Sequence, residues 1–224
     1  MKKILISSLV VLSLSGCGDN KVEAKKVVVD KNVTAKIVPQ TQKKEVAKPF
    51  NPTLELKKSK KESELLSKTY LIFKDGAKIA PEGKPMLIVF GQSNDPYTTK
   101  LQEDIVNNNK LAKSIKDNLT PFYINASENK MHKFMHNNEL MDVDTKTLVS
   151  IYGIHSTPTL IFIDESGKSI FAVPGYMPPK QFLATIDFVK EKKYLGKDRK
   201  KGEVYEALRE YYISKGIKVK KAKK

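Results

Sequence analysis

The chain has 224 residues, 40% of them hydrophobic and 29% charged, with a formal charge of +16. This balance reads as one soluble globular domain with extensions and excludes a chain of membrane spans. The basic excess favours anionic surfaces: lipid headgroups, acidic partners or nucleic acid.

Lys2 and Lys3 precede an apolar run from Ile4 to Leu14, and Ser15 and Gly16 lead into Cys17, the only cysteine. Residues 1–16 have the layout of a secretory signal, too short to span a bilayer of about 30 Å. A cysteine directly after the small pair resembles the bacterial lipoprotein signal, which is cut before the cysteine and acylated on it. Cys17 is therefore expected to be a lipid anchor, holding the protein to the envelope on its periplasm-facing side, at the inner or outer membrane. That placement argues against nucleic acid as a partner. Loss of residues 1–16 removes Lys2 and Lys3 and lowers the charge of +16 by two, to +14.

Residues 17–60 read as a lipidated tether, rich in Lys, Val and Glu, with Pro39, Pro49 and Pro52 and no sustained period. Asn32 lies in an Asn-x-Thr sequon within it. Residues 61–84 fit either a helical face or a strand at Tyr70–Phe73. From Met86 the signals sharpen. Met86–Phe90 is an apolar run that suits a strand buried on both faces. Tyr97, Leu101 and Ile105 mark a helix face, as do Leu111, Ile115 and Leu119 after a break at 107–109. Phe122–Ile124 is a short strand, and Leu148, Ile151 and Tyr152 suit a helix ending at Gly153. Thr159–Ile163 and Ile170–Val173 flank a turn at 164–168 and predict a hairpin. Phe182, Ile186 and Val189 give a further helix. Val204, Tyr205, Leu208, Tyr211 and Tyr212 give an extra one, followed by a basic tail. The expected fold is α/β: a small mixed sheet with helices on both faces, an N-terminal tether and a C-terminal helix.

Four stretches carry a family resemblance: Lys84 to Gly91, Asp95 to Leu101, Tyr152 to Leu160, and Pro174 to Tyr176. Together they resemble a thioredoxin-like domain, in particular the periplasmic disulfide-interchange branch with a Cys-Pro-Tyr-Cys centre. The resemblance covers roughly residues 80–195 and places the domain at 61–196, with 197–224 as helix and basic tail. It puts Asp95 where the family has its attacking cysteine and Thr98 where it has the resolving one, around Pro96 and Tyr97. Disulfide exchange needs a thiolate, so the family's redox activity does not carry over. Asp95 before Pro96 reads as a helix N-cap contributing about 1 kcal/mol. Thr157 and Pro158 match the family's cis-proline loop, which docks an extended partner segment. The resemblance thus implies a redox-inactive envelope lipoprotein that binds a protein partner through Asp95, Tyr97, Thr157 and Pro158, as an assembly or stability factor. Two alternatives are an enzyme, either a thiol:disulfide oxidoreductase by family or one with some chemistry built on Asp95 and His155, and a copper-binding module. The second rests on His132 and His136, which would share one face of a helix beside Met131 and Met135; imidazole and thioether together suit copper. No other cofactor is expected.

Overall fold

A computed structural model describes residues 52–136 and 139–219. The signal segment, Cys17, Asn32 and residues 220–224 of the tail lie outside them. Among the described residues no helix is long and apolar enough to cross a membrane.

Helix α1 runs Pro52–Tyr70, so it begins inside the stretch read as tether. Its Lys- and Glu-rich sequence is made of good helix formers, but its few apolar residues hide the period. Glu64 and Lys68 pair at 2.7 Å, one turn apart. Strand β1 is only Lys78–Ile79, and β2 is Met86–Gly91. Helices α2 (Pro96–Asn107) and α3 (Asn109–Asn118) meet at Asn108. That residue ends the first and caps the second, its side chain accepting from Leu111 N at 3.1 Å. Then follow β3 (Thr120–Asn125), β4 (Met131–His136), β5 (Glu139–Asp144) and α4 (Thr145–Ile151). The chain closes with β6 (Thr159–Ile163), β7 (Ser169–Pro174), α5 (Pro179–Lys190) and α6 (Glu203–Ser214).

The main sheet has the order β3-β2-β6-β7. β2 is parallel to β3 and antiparallel to β6, and β7 returns antiparallel to β6. Period-2 alternation sends neighbouring residues of each central strand into two different cores. Leu87, Val89, Leu160 and Phe162 pack with α2, α3, α5 and α6 on one face. Ile88, Phe90, Ile161 and Ile163 pack with Ile79, Phe134, Val143 and Leu148 on the other. This is why Met86–Phe90 is apolar throughout.

The second face carries the expected helix, α4, and adds a small sheet of order β1-β4-β5 that is not expected from the sequence. His132 and His136 therefore lie on a strand. Their spacing of four places them on one face of a strand as well as of a helix, so spacing alone could not decide. The extra C-terminal helix packs on the domain through Val204, Leu208 and Tyr212, and Tyr212 Oη meets Thr185 Oγ1 at 2.6 Å.

Candidate functional site

The site forms where β2 hands the chain to α2. Gly91 ends the strand against the Tyr123 hydroxyl, which would stand 2.3 Å from any Cβ added there. Asn94 then adopts a left-handed φ of 63°, a conformation that asparagine tolerates better than most residues. This turn delivers Asp95 to the helix start with an extended backbone (φ −87°, ψ 118°), and Pro96 supplies the pre-set first-turn φ.

The Asp95 carboxylate is half-buried and takes four donors. Tyr97 N donates to Oδ1 at 3.1 Å, and Thr98 N to Oδ2 at 3.2 Å. The Thr98 hydroxyl donates to Oδ2 at 2.6 Å, and the Thr157 hydroxyl at 2.9 Å. Burial works to raise the carboxyl's pKa. The hydrogen bonds from Thr98, Thr157 and the two amides outweigh it and hold the pKa below the ordinary aspartate value. Asp95 is thus more than a helix cap: it joins the start of α2 to the loop at Thr157, 62 residues away in sequence.

The Thr157–Pro158 peptide bond is cis. Pro158 is buried, and its carbonyl accepts from Gly175 N at 2.7 Å, which fixes the loop to the end of β7. Tyr176 follows, with its hydroxyl donating to Asp104 of α2. Burial first, then that carboxylate, push its phenol up to about 12. Lys100 sits 5.1 Å from the Tyr176 ring centroid and pairs with Asp104 at 3.5 Å. Three segments are therefore pinned together: the start of α2, the cis-proline loop and the Gly175–Tyr176 turn. Tyr97 stands beside them, 61% exposed.

Two clefts open on the far side of this turn. One of about 370 Å³ lies between α1 and α2, bordered by Lys61, Leu65, Asn94 and Pro96. One of about 230 Å³ lies between α1 and the end of β3, bordered by Leu66, Gln92, Tyr123 and Asn125. Neither is lined by Thr157 or Pro158. The cis-proline loop, with Thr157 half-buried and Tyr97 exposed beside it, offers backbone at a surface, which suits an extended segment.

The other candidates fall elsewhere. His155 is exposed, and none of the hydrogen bonds to Asp95 comes from it. His132 is 2% exposed. Its Nδ1 meets Gly76 O at 2.8 Å and its Nε2 meets Thr145 Oγ1 at 2.9 Å. A carbonyl only accepts, so Nδ1 carries a proton and donates it to Gly76 O. His136 is exposed at the end of β4 and stacks on Phe134. Among the described residues no cluster of three or more His, Cys, Asp or Glu side chains could hold a metal. His132 is the structural link between β4, α4 and the turn before β1. Its replacement by alanine is expected to destabilise the domain by about 2–3 kcal/mol, by stranding the buried Gly76 carbonyl and leaving a cavity where the ring stood. Urea unfolding checks this; an unchanged midpoint contradicts it.

Sequence reasoning named Asp95, Thr98 and Thr157 but missed that one carboxylate joins them. It gave no role to Lys100 or Tyr176, which lie in stretches that carry the resemblance, and did not name Asp104; their mutual contacts have no signal in local spacing.

A family model of the thioredoxin-like domain matches residues 72–190. Among solved structures, a thioredoxin-fold protein from Helicobacter pylori is 32% identical, over 69% of this chain and 98% of that one, with a TM-score of 0.63. A thioredoxin from Malassezia sympodialis is 15% identical over 50% of this chain and 80% of that one (TM-score 0.37). Mitochondrial thioredoxin 3 from Saccharomyces cerevisiae is 13% identical over 55% and 88% (TM-score 0.34). No curated protein matches the chain.

Proposed function

The chain belongs to the thioredoxin-like family, and on that premise we propose that it is a redox-inactive member that binds a protein partner, held to the cell envelope by lipid on Cys17. The observation that carries this reading is the Asp95 carboxylate, bound by Thr98 and Thr157 at the place the family gives to its thiols. A carboxylate and a hydroxyl cannot form a mixed disulfide. The single cysteine, Cys17, directly follows the signal-like segment 1–16, and a thioether-linked lipid would block its sulfur. What the site retains is recognition geometry: a rigid proline loop, a fixed helix start and an exposed tyrosine beside them. The partner segment would lie extended along Thr157 and Pro158, pairing backbone to backbone, with Tyr97 giving apolar contact. The role is that of an assembly or stability factor on the periplasm-facing side of a membrane.

Insulin reduction by dithiothreitol tests the inactive half. The full chain is expected to leave the precipitation rate at that of dithiothreitol alone. A rate that rises with protein concentration would return the chain to the oxidoreductases. The placement of His132 and His136 gives no separate support to a copper-binding reading.

A further inference from the structure

The connection between α5 and α6 concentrates charge. Residues 190–201 hold seven lysines and arginines against two acids, Glu191 and Asp198. The adjoining β6–β7 turn adds Asp164, Glu165 and Lys168, so the connection and the turn together carry eight cations against four acids, with Glu203 of α6 accepting from Asp198 N at 2.8 Å. The acids are engaged within the fold. Asp198 accepts from Lys200 N at 2.8 Å and Lys201 N at 3.2 Å. Glu191 accepts from the Tyr211 hydroxyl at 2.8 Å, and Asp164 receives Ser166 N, Lys168 N and Arg199. Glu165 pairs with Lys192 at 3.0 Å. Lys190 and Lys200 make no ion pair among the described residues, and Lys193 reaches Glu191 only at 3.9 Å. Lys197 borders a hollow shared with Glu203, Glu206 and Glu210 of α6.

In the middle of these lysines stands Leu195, 63% exposed, at the tip of turns that Lys192 (φ 53°) and Gly196 (φ 73°) allow. Tyr194 beside it is buried and anchors the connection. An exposed leucine with Lys192, Lys193 and Lys197 within three residues of it is the pattern of a surface that meets lipid headgroups, with charge attracting and the apolar side chain entering the interface. Lysines outnumber arginines six to one in the stretch. They act as point charges rather than as the bidentate forks that structured carboxylate or phosphate recognition favours.

The position also matters. β6 leaves the cis-proline at Thr159 and ends at Ile163, and the turn beyond it holds Arg199 and Lys192. α5 starts at Pro179, just after the Gly175–Tyr176 turn, and its 12 residues span about 18 Å. The basic end and the cis-proline face are thus opposite ends of the same sheet. We propose that the α5–α6 connection docks on an anionic lipid bilayer through Leu195 and its lysines, turning the Asp95–Pro158 face away from the membrane. The lipid contact stands independently of the partner-binding reading; only the orientation rests on it.

The test uses the full chain with C17S and L195C, carrying an environment-sensitive fluorophore at position 195. A second chain, with C17S and N129C, is labelled in the exposed loop after β3, whose Ser127 hydroxyl accepts from Ser93 N of the turn before Asp95 at 3.2 Å. Vesicles containing phosphatidylglycerol are expected to blue-shift the label at 195, and neutral phosphatidylcholine vesicles are not. The label at 129 should stay unshifted. Adding K190Q, K193Q and K200Q should weaken the response about a hundredfold, at about fivefold per lysine, and raised salt should weaken it too. No shift at 195, an equal shift with neutral vesicles, or a response unchanged by the three substitutions would overturn the proposal. So would an equal shift on adding polyglutamate without vesicles, which would assign the patch to an acidic protein. A shift at 195 together with one at 129 would overturn the orientation. Each of these results leaves the partner-binding reading standing.

Discussion

Asp95→Ala is expected to lower the stability of the domain by about 3 kcal/mol at neutral pH. Loss of an N-cap side chain alone costs about 0.5–2 kcal/mol. Here the same carboxylate also receives the Thr98 and Thr157 hydroxyls, and hydrogen bonds to a charged group contribute more than neutral ones, roughly 1.5–3 kcal/mol each. Thr98 is 2% exposed, so water cannot easily replace the lost acceptor. About 3 kcal/mol is a large fraction of a typical domain's 5–15 kcal/mol. The effect has a defined pH dependence. Asp95 has a folded pKa below its unfolded value, so its contribution is fully present above the unfolded value of about 3.9. It is lost as the pH falls through the folded pKa. The gap between the natural chain and Asp95→Asn in urea unfolding should therefore be wide at pH 7 and shrink below about pH 4. A gap that stays constant down to pH 2 would mean that the charge of Asp95 contributes nothing.

The double substitution Asp95→Cys with Thr98→Cys, in a chain that also carries C17S, is expected to gain disulfide-exchange activity. The two positions sit one turn apart at the start of α2, with Pro96 and Tyr97 between them. The helix start that stabilises the Asp95 carboxylate would stabilise a thiolate in its place. The cis-proline loop already stands within hydrogen-bond reach of position 95. Insulin precipitation should rise several-fold above the dithiothreitol background, against none for the natural chain. Either single substitution should fail, because no second thiol resolves the mixed disulfide. If the double variant folds, forms its internal disulfide and still does not turn over, the site has lost more than sulfur.

These expectations show which parts of the molecule are legible in its sequence. β2 and β6 are readable because a strand buried on both faces is apolar along its length, and β7, an edge strand buried only in part, is readable as the apolar run beyond the turn at 164–168. α2, α3 and α5 show as apolar residues recurring every three or four positions. The β4–β5 hairpin is not readable. Met131–His136 alternates exposed and buried positions, but one of the buried ones is a histidine whose polarity is satisfied by Gly76 and Thr145. Only the fold brings those partners to it. α1 is obscured for a similar reason, because its length is polar and it contributes few apolar contacts, such as Leu65 and Leu66. At the site, Asp95–Pro96 announces a helix cap through local chemistry. The bond from Thr157 does not announce itself, since it depends on how the loop before β6 returns to the start of α2. The resemblance to a thioredoxin-like domain placed that loop beside Asp95, but the family's pattern holds sulfur at position 95 and has no carboxylate for Thr157 to meet.

The central claim is that the face around Asp95 and Pro158 holds a partner without sulfur chemistry. A photoreactive amino acid placed at Ser156, exposed next to Thr157, tests it most directly in cells that make the full chain. The account predicts a discrete protein adduct after illumination that resists reductant, and none when the same group replaces Lys110, exposed at the start of α3. Absence of an adduct at position 156, or equal capture at both positions, would contradict it.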